Sequence, residues 1–297
     1  MCLNKKTIIN ALEGVQLFQD PTLWEDNGRP TKKHEIAIDS VMKKLDCFRI
    51  NAKKELKRFP YTNKFMGHLI CERINQDYPL SSPIIHNLYS GGLTDFENRL
   101  ERIKNIPNIE TISKNIHAPQ KKDQGEETDE IITDIWTEFF VADFLTKELK
   151  VEYLEKVVRE NTQPAIEFYI KNENDEWILE VARLRKRDFQ GDTLPWSTQD
   201  CKRQENVNII KDAIRYKFKE KNKQIKNFVE KEGRDFDKRI VAIKTSQEEY
   251  QDCKLVIEEQ AKYLLGKGSY PEITHLLLIF DIEKYELLVN KLARQLV

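Results

Sequence analysis

Gln163-Pro164-Ala165-Ile166-Glu167-Phe168, and after it Glu176-Trp177-Ile178-Leu179-Glu180-Val181-Ala182-Arg183-Leu184, are the residues on which the fold turns. Both runs are rich in β-branched, aromatic and other apolar residues, and the polar Lys171-Asn172-Glu173-Asn174-Asp175 lies between them. This pattern predicts two strands, Ala165 to Ile170 and Trp177 to Leu184, joined by a turn. On a strand, residues i and i+2 face the same side. Glu180 and position 182 are therefore neighbours, and so are positions 165 and 167. Glu180 stands among Ile178, Leu179 and Val181. A carboxylate in so apolar a strand needs a partner, which marks Glu180 as a candidate site residue rather than an ordinary strand-end carboxylate.

Outward from the hairpin, the chain reads as alternating helices and strands. Upstream, a long helix is predicted from about Asp129 to Leu149, its stripe including Ile132, Ile135, Phe139 and Leu145. Val151 to Val158 reads as a strand. Downstream, Asp192 to Thr198 is a loop, and a helix runs from near Asp200 to near Val229. Arg239 to Lys244 and Ile273 to Phe280 are buried-type strands. Gln247 to Leu265 is helical, and a last helix is predicted from Ile282 to the end. Residues 1–120 read as mainly helical, with apolar residues at helical spacing in Leu69-Ile70-Ile74 and Phe96-Leu100-Ile103. The polar stretch His117 to Thr128 reads as a linker. The expected organisation is a helical N-terminal region, 1–120, and an α/β domain, 121–297, with a mixed sheet flanked by helices.

Composition narrows the class. At 297 residues, with 33% charged and 39% hydrophobic residues, the chain fits a soluble, helix-rich globular protein. No apolar run is long enough to span a bilayer, and no signal-peptide core follows the first residues, so no membrane partner and a cytoplasmic location are expected. Five scattered cysteines, with no C-x-x-C pair, suggest neither a zinc site nor a disulfide framework. The net charge is −1, but residues 121–150 carry nine acidic against four basic residues. Residues 202–239 carry thirteen basic against seven acidic, and Arg183, Arg185, Lys186 and Arg187 precede them. Local basic surface beside an acidic pocket suits an enzyme that handles a polyanion, whereas a Lys-rich helical face by itself is ordinarily a solvated one.

The hairpin resembles the active-site hairpin of the PD-(D/E)XK, or restriction-endonuclease-like, nuclease superfamily. There a Pro-Asp opens one strand and a Glu-x-Lys ends the next. Pro164 and Glu180 match. Ala165 stands at the Asp position and Ala182 at the Lys position. The predicted order α-β-β-β-α-β-α-β-α contains the α-β-β-β-α-β order of that superfamily, over about 170 residues. The resemblance implies a Mg2+- or Mn2+-dependent nuclease acting on nucleic acid, DNA before RNA. It makes Glu180 a metal ligand and Glu138, on the preceding helix, the extra acidic residue many members carry. Glu167 is either a displaced ligand in place of position 165 or, as the ordinary expectation for such a residue, a salt-bridging carboxylate at the surface. Arg183, Lys223 and Gln224 become candidates for substrate contact. A homodimer is implied where both strands of a duplex are cut, and a protein partner would engage the helical N-terminal region. Restriction, phage defence and DNA repair are the settings such domains serve.

Three readings of the two alanines stay open. One is deliberate inactivation of a nuclease. The second is natural degeneration to a non-catalytic nucleic-acid-binding or scaffolding module. The third is a shifted motif in which Glu167 and Glu180 form a carboxylate pair without the lysine. No nucleophile elbow, dinucleotide fingerprint or phosphate-binding loop is present to support other α/β chemistry.

Overall fold

The hairpin forms, and it lies within a six-stranded sheet. The computed structural model describes residues 46–76, 82–90, 93–114, 125–158, 166–183, 204–244, 254–281 and 284–289. The strands are β1 (Tyr153–Lys156), β2 (Phe168–Asn172), β3 (Asp175–Arg183), β4 (Lys238–Lys244), β5 (His275–Asp281) and β6 (Lys284–Val289), ordered in space as in sequence. β1, β2 and β3 pair antiparallel, β4 and β5 continue parallel to β3, and β6 returns antiparallel to β5. The sheet is mixed because its two parallel steps each require a crossover, and each crossover contains a helix.

The turn is tighter than the sequence suggests. Asn172 pairs with Asp175, so only Glu173 and Asn174 form the loop. Glu173 takes φ 56°, the left-handed region that a non-glycine residue occupies at a cost of about 1 kcal/mol. This short loop fixes the register that sets Phe168 opposite Leu179.

Among the described residues the helices are, in chain order, α1 (46–56), α2 (Pro60–Asn75), α3 (Pro83–Ser90), α4 (Leu93–Ile103), α5 (Thr111–Lys114), α6 (Gly125–Lys147), α7 (Gln204–Glu232) and α8 (Lys254–Gly266). Ile178 and Ala182 of β3, Val241 and Ile243 of β4, and Leu276 and Leu278 of β5 share one face. They pack with Ile210, Ile214, Phe218 and Ile225 of α7 and with Ile257, Ala261 and Leu264 of α8. Side chains of the other face meet α6: Arg183 bonds Asp134, and the Lys244 ammonium lies 4.8 Å from the centre of the Phe140 ring.

The chain divides into two compact units, 1–101 with 116–132, and 102–115 with 133–297. The first contains helices and no strand among its described residues. Its core includes Phe65, Met66, Leu69, Ile70, Phe96 and Leu100, all buried. Pro60 opens α2. The Glu97 carboxylate accepts from the free backbone N–H groups of Tyr61 and Thr62, both at 2.8 Å, which satisfies donors every helix start leaves open.

Two expectations are corrected. Part of the predicted linker, residues 125–128, is the first turn of α6. Residues 284–289, read as helix, are strand β6. The open edge of β5 supplies backbone donors and acceptors that outweigh a weak helical pattern. Ala165 and the predicted loop Asp192 to Thr198 lie outside the described residues. Among the described residues, no helix is long and apolar enough to cross a membrane.

Candidate functional site

On the face of β3 that α7 covers, Glu180 breaks an otherwise apolar row between Ile178 and Ala182. It sits beside Val241 in the neighbouring strand. Its side chain is wholly enclosed. Burying a carboxylate without a counter-charge is costly, and the counter-charge comes from α7. Lys221 Nζ donates to Glu180 Oε2 at 2.8 Å. Lys221 lies on the stripe that Ile214, Phe218, Ile225 and Phe228 direct at the sheet, so the fold carries its ammonium inward. Only one carboxylate oxygen is used. Glu180 Oε1 is buried and has no hydrogen-bond partner.

A second set of charges adjoins the first. Lys156 ends β1 and is buried. Its ammonium bridges two carboxylates, Glu138 Oε2 of α6 at 3.0 Å and Glu167 Oε2, just before β2. The Nζ also lies 5.4 Å from the centre of the Phe168 ring. Glu167 is held by its backbone as well: its N–H donates to Leu179 O at 3.1 Å and its carbonyl accepts from Val157 N at 3.0 Å. The result is a chain of charges across four elements and the start of β2: Glu138, Lys156, Glu167, Glu180, Lys221.

Burial raises the Glu138 carboxyl to about 8. The neighbouring Glu167 charge adds to the rise, and Lys156 opposes it. Glu138 still shows 20% of its side chain to solvent, so water has access to this end of the cluster. Burial also raises Glu180 to about 7, against the pull of Lys221 and with a further push from Glu167. For both lysines burial works against the ammonium, but the facing carboxylates outweigh it and hold each above the ordinary lysine value. Near neutral pH the cluster thus keeps two fixed cations and two carboxyls able to take or release a proton.

The sequence-predicted residues separate clearly. Glu138, Glu167 and Glu180 come together. Ala182 is enclosed among apolar side chains. Arg183 is on the opposite face of the sheet, its Nη1 3.3 Å from Asp134 Oδ1. Lys223 is exposed on α7, two residues and so more than half a turn from Lys221. Gln224 is half-buried one turn beyond Lys221, and its Oε1 is buried with no partner. The lysines at the centre, Lys156 and Lys221, are absent from the sequence reading. The signal for Lys221 was its place in the apolar stripe of α7; that for Lys156 was its place in a strand, next to Leu154 and Val157.

A divalent cation does not fit the carboxylates as they stand. Glu138 and Glu167 share one ammonium, and Glu180 has another. Among the described residues no group of three or more His, Cys, Asp or Glu side chains converges as a metal requires. No protein-family model, curated protein or solved structure matches this chain.

Proposed function

We propose that this chain is a phosphodiester hydrolase acting on nucleic acid, DNA before RNA, on a restriction-endonuclease-like core. Its ammonium is delivered by helix α7 rather than by the strand. One observation carries this reading: Glu180, the carboxylate of the Glu-x-Lys-like run, is wholly enclosed yet bonded to Lys221 at 2.8 Å. A lysine two residues on in β3 is therefore unnecessary, and Ala182 serves as a small residue against α7.

In this reading Lys221 and Lys156 supply fixed positive charge for the pentavalent phosphorus transition state, and water enters at the Glu138 end, where a fifth of that side chain is exposed. Glu180, with its carboxyl near 7, accepts the proton of the attacking water. Glu138, raised to about 8, is a proton donor for the departing oxygen. The outward side of α7 carries Arg215, Lys219, Lys223 and Lys226, all exposed, as a path for the phosphate backbone. Mg2+ or Mn2+, which the resemblance implies, would find its carboxylates already paired.

A second reading is favoured by that same pairing. Carboxylates neutralised by internal lysines also suit a non-catalytic nucleic-acid-binding module. Incubation with plasmid, linear duplex, single-stranded DNA and RNA in Mg2+, Mn2+ or EDTA separates the two. The hydrolase reading expects cleavage that Glu180→Gln and Lys221→Met each reduce about 100-fold or more. Binding to duplex DNA with no cleavage by the folded protein under any condition abandons hydrolysis for the binding module.

A further inference from the structure

The outward side of α7 presents a row that the core does not explain. At helical spacing, Arg215, Tyr216, Lys219, Lys223 and Lys226 fall within about 100° of arc. They point away from Ile214, Phe218 and Ile225, which pack on the sheet, and all five are exposed. Asp212 and Glu230 bracket the row, and each is matched by the cation nearest to it: Asp212 with Arg215 at 2.9 Å, Glu230 with Lys226 at 3.7 Å. Between them Lys219 and Lys223 make no ion pair or hydrogen bond among the described residues. The row therefore keeps its positive charge next to Tyr216, one turn before Lys219 and two before Lys223.

Lysines alone make a solvated face; the tyrosine is what that account leaves over. Tyr153, Tyr216 and Tyr263 are exposed to 38%, 61% and 47%. Tyr153 places its hydroxyl on Glu155 and its ring edge against Tyr169. Lys267 covers Tyr263, its Nζ 4.5 Å from the ring centre. Tyr216 has neither a ring contact nor a hydrogen bond among the described residues. Its helix is held firmly beneath it: buried Phe218 packs on Tyr270, ring centres 5.6 Å apart, and the Tyr270 hydroxyl donates to Arg215 O at 3.4 Å. An open aromatic face with few rotamers, set among unpaired cations, is the combination that stacks a base while its neighbours hold phosphates. A duplex keeps its base faces inside its own stack. It can engage the lysines, but only an unpaired base offers a face to the ring.

We propose that the outward row of α7 binds a single-stranded polynucleotide, with a base stacked on Tyr216 and backbone phosphates on Lys219 and Lys223. Tyr216 is the residue that recognises an unpaired base, and it takes no part in breaking bonds. The proposal rests on the reading of this side of α7 as a phosphate path, and not on hydrolysis at Glu180.

Fluorescence anisotropy of labelled oligothymidylate, oligouridylate and a hairpin duplex is measured with the full chain in EDTA, gels confirming that each probe stays intact and circular dichroism that each variant folds. Tyr216→Ala should weaken binding of both single strands about tenfold and leave duplex binding unchanged. Tyr216→Phe, which keeps the ring, should bind as the native chain does, and so should Tyr263→Ala, whose ring is already covered. Replacing Lys219 and Lys223 together by Gln should weaken all three probes and reduce the single-strand salt slope by about 1.4, or about 0.7 for each cation. Single-strand binding that Tyr216→Ala leaves intact overturns the inference, as do equal losses on single strand and duplex, or no binding of either single strand. Polyglutamate competing as well as oligothymidylate also overturns it, because the row is then a general anion surface. The two proposals fail separately. Cleavage by the native chain, with single-strand binding indifferent to Tyr216, ends this inference and keeps the hydrolase. Binding that depends on Tyr216, with no cleavage by any form, does the reverse.

Discussion

The two ends of the central hairpin carry the same kinds of charge and treat them in opposite ways. At the turn end, Asp175 and Glu176 meet Lys238 and Arg234 near solvent. Hydrogen bonds from Lys238 and Trp177 hold the Asp175 carboxyl below its ordinary value. A hydrogen bond from Tyr169 does the same for Glu176, with the Arg234 charge in support. Arg234 lies over Phe236, its Cζ 4.7 Å from the ring centre, and Lys238 over Trp177 at 3.9 Å. At the other end, Glu180 and Glu138 also have lysine partners, yet both carboxyls are raised. The ion-pair chemistry is the same; enclosure decides the direction. Where water remains, a cation lowers a carboxyl. Where it is excluded, the cost of burying the charge exceeds what one cation returns.

The largest test of this contrast removes the cation from the enclosed end. Lys221→Met leaves Glu180 buried and unpaired, and should cost about 3–5 kcal/mol in urea unfolding. The loss should be smaller at pH 6 than at pH 8, because a proton can take the place of the ammonium. Equal losses at the two values would mean that Glu180 is not poised near neutrality.

Next in size is Ala182→Lys, which restores the strand lysine of the nuclease motif. Ala182 packs within the apolar cluster between β3 and α7. A lysine there would overpack the contact and bury a second ammonium near Lys221, with an expected loss of about 2–4 kcal/mol. A native-like melting temperature would show that the space and the counter-charge for a strand lysine exist after all.

The pH dependence is a finer test. Glu180 and Glu138 bind protons more tightly in the folded state than their ordinary value of 4.5 allows. The folded chain holds the extra protons, so their contribution to stability falls as pH rises from about 4.5 through about 7 for Glu180 and about 8 for Glu138. Asp175 and Glu176, shifted down, stabilise above their unfolded values and lose that effect as pH falls. Melting temperatures from pH 5 to pH 8 should therefore decline less steeply in Glu180→Gln than in the native chain. Parallel curves would remove Glu180 from the account.

The smallest effect belongs to the open end. Arg234→Ala breaks a half-exposed pair and a stacked contact, and should lower the melting temperature by no more than about 2 °C. A larger drop would place hidden structural weight on the turn.

The sequence made the hairpin legible because its signals are local: a polar turn, apolar runs and a carboxylate out of place. β4 and β5 were legible as short apolar runs, and α6 and α7 from their stripes. β6 was not, since its pairing comes from the edge of β5 rather than from its own residues. Glu138, Glu167 and Glu180 were legible as acids at plausible positions. Their partners were not, because Lys221 lies 41 residues from Glu180 and Lys156 lies 18 from Glu138. The motif directed attention to position 182, two residues from Glu180, while the fold meets the same electrostatic need from another element.

The two-residue turn at Glu173 and Asn174 has a consequence for the order in which the molecule assembles. Loop closure favours contacts that are close in sequence, so the hairpin can form before the crossover through α7 brings Lys221 to it. During that interval Glu167 and Glu180 approach one another without Lys221. Lys156, 11 residues before Glu167, can reach it at this stage, whereas Glu180 waits for Lys221, and until then a proton from solvent relieves its charge. Acidity should act on this protein's folding as a transient chaperone, speeding collapse at pH 5 relative to pH 8.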